Sequence, residues 1–180
     1  KEPLVSLSLI RNTGVDHDAA VIAVGGGASV LVDYLLDDGF SNLSVLDISA
    51  HAISYARQRL GEKADSVSWH EQDVTCFEPP QPYAVWHDRA VFHFLTGDAD
   101  RRDYVKVLRN AVLPGGQVII AAFAVGGPTK CSGLDIVQYD ADKLAAELDD
   151  GFELAEEKDE LHLTPANAEQ QFSYFRFNKK

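Results

Sequence analysis

The 180-residue sequence has no methionine, two cysteines and no apolar run of membrane-spanning length. Each shortage excludes something. Cys76 and Cys131 lack the paired spacing of a metal site and are too few for a disulfide framework, so both are expected to be reduced and structural. Without a stretch of about 20 apolar residues or a signal-peptide pattern, no membrane partner is expected, and the protein is expected to be soluble and cytoplasmic. Basic residues are also scarce. Lys and Arg number 16 against 28 Asp and Glu, a net charge of -12, and no local basic patch interrupts a field that repels phosphate backbones. Nucleic acid is therefore not an expected partner. Repeats and low-complexity segments are missing, and the one charge run, Glu153 to Glu160, reads as a solvated strand face. The absent methionine leads to the expectation of an upstream segment before Lys1.

What is present suits one domain, residues 1–180, with 46% hydrophobic residues to build a sizeable core. The organising stretch is AVIAVGGGASVLVDYLLDDGFSNLSVLDIS, Ala20 to Ser49. A buried strand (Ala20 to Val24) runs into Gly25, Gly26 and Gly27, whose missing side chains let backbone turn sharply and approach a ligand. A helix is expected from Ser29, with Val30, Leu31, Tyr34 and Leu35 on one face and Gly39 ending it. The next strand, Asn42 to Leu46, leads to Asp47, twenty residues after Gly27. In a parallel βαβ unit these two points are neighbours. Together they form a nucleotide cradle, in which N–H groups meet an anionic ligand group and a carboxylate accepts both hydroxyls of a ribose.

The rest of the chain keeps alternating. Before the cradle, Leu4, Leu7, Leu9 and Ile10 suggest a short helix. After it come a helix capped by Ser49 and stopped by Gly61, a strand at Val67 to His70, and a loop carrying Pro79, Pro80 and Pro82. Tyr83 to Trp86 is the fourth strand and Gln117 to Ala124 the fifth, separated by a helix that Asp98 can cap and in which Tyr104, Leu108, Ala111 and Val112 align. A helix near Asp140 to Leu148 and two strand-like runs, Phe152 to Leu163 and Gln170 to Asn178, complete the chain. Strand and helix alternating five times predict a doubly wound parallel α/β sheet, closed by a partly buried hairpin.

The most chemically loaded cluster is His87, Asp88, Arg89 and His93, at the carboxyl end of the fourth strand, where open α/β sheets bind ligands. An equally open reading makes Asp88 and Arg89 a structural ion pair, puts His93 on a helix surface, and fills the core with Phe92, Phe94, Trp69 and Trp86. Asp73, after the third strand, can be a ligand acceptor or simply a turn acid.

These parts resemble class I S-adenosylmethionine-dependent methyltransferases over about Ala19 to Phe177: VIAVGGGAS, LDIS, EQDVT, WHDRAVFHFL and LPGG stand in the family's order. The LPGG and HDRA stretches are most similar to the methyltransferase-like or thiopurine-methyltransferase-like branch. The resemblance implies a Rossmann-like seven-stranded sheet in the order 3-2-1-4-5-7-6 with strand seven antiparallel. It also implies S-adenosyl-L-methionine as cofactor and S-adenosyl-L-homocysteine as product. Gly25, Gly26 and Gly27 would lie at the methionine part, Asp47 on the ribose hydroxyls, Ile48 on the adenine, Asp73 and Val74 at the adenine amino group, and Arg89 near cofactor or substrate. No metal is implied. Where the family usually has an acid two positions before the first glycine, this chain has Ala23.

The expected activity is methyl transfer to a small metabolite or a protein side chain. Because the sulfonium already activates the methyl group, the protein mainly orients it, and only a protonated acceptor such as an amine needs a base, for which His87 is the candidate. No N-P-P-[YF] follows strand four, which points away from amide-nitrogen and exocyclic base-nitrogen acceptors. Two other readings remain open: a cofactor-binding but silent module, motivated by Ala23, and a nicotinamide-dependent oxidoreductase, against which Val30 stands at the third glycine of G-x-G-x-x-G.

Overall fold

The computed structural model describes residues 2–163 and 169–180. Five helices and nine strands appear among them. In chain order they are α1 (Leu4–Arg11), β1 (Val21–Val24), α2 (Leu31–Asp37), β2 (Leu43–Asp47), α3 (Ala50–Leu60), β3 (Val67–Glu71) and β4 (Tyr83–Arg89). There follow α4 (Asp98–Ala111), β5 (Val112–Phe123), β6 (Lys130–Cys131), β7 (Leu134–Asp135), α5 (Ala141–Leu148), β8 (Phe152–Leu163) and β9 (Glu169–Lys179).

Seven strands form one mixed sheet ordered β3-β2-β1-β4-β5-β9-β8. β1 pairs in parallel with β2 and β4, and β9 runs antiparallel to both β5 and β8. The remaining two strands, β6 and β7, form a separate small ribbon that the sequence pattern does not announce, because two-residue strands carry no period.

Both faces of the central strands are buried, while the edge strand β8 is largely exposed. On one side α4 and α5 cover Ile22, Trp86, Ile120, Phe175 and Phe177; on the other α1 and α2 cover Val21, Val45, Val85, Ile119 and Tyr174. Within the closing hairpin β8 is largely exposed, whereas β9 is buried on both faces rather than partly: Phe172 and Tyr174 enter one core and Phe175 and Phe177 the other. A strand covered on both faces reads as a near-continuous apolar run rather than a clean alternation.

Several boundaries also differ from expectation. The chain is still turning at Ser29, whose N–H donates to Gly26, so α2 starts at Leu31 and buries Leu31, Val32 and Leu35. Asp98 is the first residue of α4 rather than its cap, which is Gly97, and Val112 has already left the helix for β5. The Pro114–Gly116 turn lies inside β5, where pairing with β4 jumps from Tyr83↔Val112 to Val85↔Gln117. Trp86 is fully buried, whereas Trp69 is only partly so. No helix among the described residues is long and apolar enough to cross a membrane.

Candidate active site

The glycine loop is held from two sides. Gly25 leaves β1 with φ 65°, and its N–H donates to the carbonyl of Leu46 at 2.7 Å, tying the loop to the end of β2. A Cβ on Gly25 would stand 2.2 Å from Cγ2 of Val91, and one on Gly27 would stand 2.7 Å from Cβ of Ala52 and 2.8 Å from Oδ2 of Asp47. Close approach, not only turning, requires these glycines.

Asp47 is locked by the same loop. Its Oδ2 accepts from the Gly27 N–H at 2.9 Å and its Oδ1 from the Ser49 N–H at 2.9 Å. Each oxygen retains a further lone pair, so the carboxylate is oriented without being used up. Ser49 in turn caps α3, accepting from Ala52 at 3.2 Å.

Two cavities flank the loop and share Val24 and Gly25. The larger, about 420 Å³, has an apolar wall of Leu46, Val74, Val91, Phe94 and Leu95, with Asp47, Ile48, Gln72 and Asp73 completing its lining. Ile48 is 71% exposed, a large apolar side chain standing open beside a cavity. Asp73 is indeed a turn acid through one oxygen, Oδ1, which accepts from the N–H and hydroxyl of Thr75, both at 2.8 Å. Its second oxygen is not engaged by those bonds. Val74 is buried beneath.

The smaller cavity, about 220 Å³, is lined by Ala23, Gly26, Ser29, His87 and Arg89 among others. Ala23 and His87 are register partners on the adjacent parallel strands β1 and β4. Arg89 is built in from β9 and β8: its Nε donates to the Tyr174 hydroxyl at 2.8 Å, its guanidinium lies 4.2 Å from the centroid of Phe172, and Glu160 stands 3.5 Å away. Tyr174 also donates to Glu160 at 2.7 Å.

Asp88 and Arg89 are therefore not an ion pair, since alternation along β4 sends them to opposite faces. Asp88 is fully buried, accepting from the Val91 and Phe92 N–H groups and from the Tyr104 hydroxyl at 2.7 Å. Burial pushes its carboxyl up to about 6 against those donors. It works as a cap that folds the chain back over the larger cavity. Ala90, at φ 65°, makes that bend possible.

His93, expected on a surface, is fully buried, packed edge-on against Phe94 and Phe123, with neither ring nitrogen partnered among the described residues. Burial and Arg89 push it down to about 4. Phe94 leaves the core to line the larger cavity. His87 is 3% exposed, and burial, then Arg89, push it down to about 3. The ring is neutral at pH 7 and less basic than its reference value, which weighs against the general-base role expected of it.

A family model described as a methyltransferase domain matches residues 22–118, the span from β1 to β5 that carries the loop, Asp47, Asp73 and the β4 cluster. The chain belongs to this methyltransferase family. The methyltransferase is similar in fold to the N-methyltransferase NodS from Bradyrhizobium japonicum WM9, with 16% identity over 97% of this chain and 94% of that one and a TM-score of 0.76. A SAM-dependent methyltransferase from Methanosarcina mazei is 14% identical over 95% of this chain and 96% of that one, with a TM-score of 0.77. The glycopeptide N-methyltransferase MtfA is 15% identical over 98% and 89%, with a TM-score of 0.73. No curated protein matches the methyltransferase in sequence.

All nine site residues named from the sequence of this methyltransferase line the two cavities or their glycine turn. Sequence reasoning missed Gln72, Ala90, Val91, Phe94 and Leu95, which belong to turns after β3 and β4. The signal for Gln72 was its place in EQDVT beside Asp73; for the other four it was the dense run after Trp86, where apolar residues read equally well as core. Among the described residues no group of three or more His, Cys, Asp or Glu could hold a metal ion.

Proposed function

We propose that this S-adenosylmethionine-dependent methyltransferase binds its cofactor across the glycine loop, adenosine in the larger cavity and methionine end in the smaller, and methylates a small molecule. The observation that carries the reading is the pair of cavities meeting at Val24 and Gly25, one largely apolar with two acids, the other bearing Arg89. Their chemistry fits the two ends of the cofactor. Asp47 would take the ribose hydroxyls, Ile48 and Val74 the faces of the adenine, Asp73 its amino group, and Arg89 the methionine carboxylate. Bound there, the cofactor supplies a methyl group on a sulfonium, ready for in-line displacement.

The acceptor enters at the same carboxyl end of the sheet, where the segment after β5 exposes Val125 (58%) and Leu134 (62%) and packs Cys131 and Ile136 on the core face that Ala23 shares. Burial lowers the basicity of both His87 and His93, which favours an acceptor that needs little help from a protein base, such as a thiol, a carboxylate or a weakly basic nitrogen. The Leu113–Gly116 and His87–Ala90 stretches support placing the chain in the thiopurine-methyltransferase-like branch, and its composition supports a cytoplasmic setting.

Calorimetric titration with S-adenosylmethionine and S-adenosylhomocysteine tests the cofactor site, and no heat at millimolar ligand with folded protein refutes it. Labelled methyl transfer to a panel of small thiols, carboxylates and amines tests the acceptor. Labelling confined to strongly basic amines overturns the class.

A further inference from the structure

We propose that His87 is a cofactor-binding residue, its Nε2 accepting a hydrogen bond from the ammonium group at the methionine end of the cofactor. The inference rests on the cofactor placement above and assigns a residue within it.

The smaller cavity poses a specific problem. A methionine end carries both a carboxylate and an ammonium. The lining residues include a cation, Arg89, but no carboxylate, and Ala23 contributes only a methyl group. Arg89 matches the carboxylate and repels the ammonium, so the ammonium needs an acceptor from the wall.

His87 supplies one. It stands beside Ala23 in register across β1 and β4, on the face that carries Arg89 two residues further along. Its Nε2 is buried and has no hydrogen-bond partner among the described residues. An orphaned ring nitrogen inside a protein is unfavourable unless a donor reaches it. Burial, and after it the neighbouring guanidinium, keep the imidazole neutral; the cofactor's own carboxylate on Arg89 would offset that guanidinium and leave the ammonium facing a neutral acceptor. A neutral imidazole offers one acceptor nitrogen, and a cationic N–H is a strong donor to it. A ring that stays neutral leaves a nitrogen lone pair free for the ammonium once Arg89 is paired with the carboxylate.

The test compares S-adenosylhomocysteine, which has the amino-acid end, with 5′-methylthioadenosine, which lacks it, by calorimetry on the full chain. His87→Leu is expected to weaken S-adenosylhomocysteine by roughly 10- to 100-fold, the span of one hydrogen bond to a charged group, and to leave methylthioadenosine unchanged. His87→Gln, which keeps an acceptor, is expected to fall between. Equal loss for both ligands shows a packing role and overturns the proposal, as does no loss for either. A readout without a variant comes from the imidazole nitrogen spectrum of the wild-type protein. The His87 Nε2 resonance is expected to shift with S-adenosylhomocysteine and stay in place with methylthioadenosine, and an unmoved resonance with the first overturns the assignment. If wild-type protein binds neither ligand, the cofactor placement itself fails and takes this inference with it; binding by wild type with an indifferent His87→Leu sinks this inference alone.

Discussion

The Gly27 N–H donates to Oδ2 of Asp47 at 2.9 Å, while the other oxygen of Asp47 holds the Ser49 N–H, so one carboxylate fixes the glycine loop and the entry to α3 together. Asp47→Ala removes both anchors and the expected ribose acceptor. Affinity for S-adenosylhomocysteine is expected to fall by about 1–3 kcal/mol through lost charge-assisted hydrogen bonds. Titration calorimetry checks it, and equal affinity removes the ribose assignment.

Gly25→Ala is expected to destabilise the protein twice over. Its φ of 65° disfavours any Cβ by about 1–2 kcal/mol, and the new methyl would meet Cγ2 of Val91 at 2.2 Å. The combined variant Gly25→Ala/Val91→Ala relieves the contact but not the backbone strain. Urea denaturation should therefore show partial recovery, and full recovery would mean that the left-handed backbone contributes nothing.

Tyr104 joins two buried groups, donating to Asp88 at 2.7 Å and accepting from Trp86 Nε1 at 2.9 Å. Tyr104→Phe keeps the ring and orphans the indole N–H. A stability loss of about 1–3 kcal/mol is expected in equilibrium unfolding, with the cofactor cavities intact. A neutral result would show that water or a shifted side chain replaces the hydroxyl.

Acid sensitivity follows from the buried histidines. Their native values, about 3 for His87 and about 4 for His93, lie below the unfolded value near 6.5. As pH falls from 6.5 the unfolded chain takes up protons that the native state refuses, so stability drops. Asp88 opposes this: raised to about 6, it keeps a proton in the native state that the unfolded chain releases above about 4, so its own contribution is lost as pH rises through 6. Two groups against one leave a net loss on acidification. His93→Phe is expected to flatten the slope between pH 6 and 4.5 by about 1.4 kcal/mol per pH unit, measured by urea unfolding across that range. An unchanged slope would mean that His93 titrates normally.

Much of the geometry around the glycine loop was legible because it is local. The loop, the following helix and Asp47 are separated by a single βαβ crossover, and right-handed parallel pairing leaves little choice about where they meet. The position of Asp73 was legible for the same reason, as the next strand end along the sheet. Its turn role and its expected ligand role were not separable from sequence, because Thr75 engages only one oxygen.

By itself the sequence determined the alternation of strand and helix, the glycine turn and the acids at two strand ends, all set by periodicity and by backbone conformations that few residues adopt. Only the tertiary structure decided what the β4 cluster does. Whether His87 titrates near neutrality, whether Asp88 faces Arg89, and whether His93 meets water depend on which sheet face each occupies and what covers it. That cover comes from α4, β5 and β9, segments distant in the chain, and the burial they impose lowers the basicity of His87 beside the glycine loop.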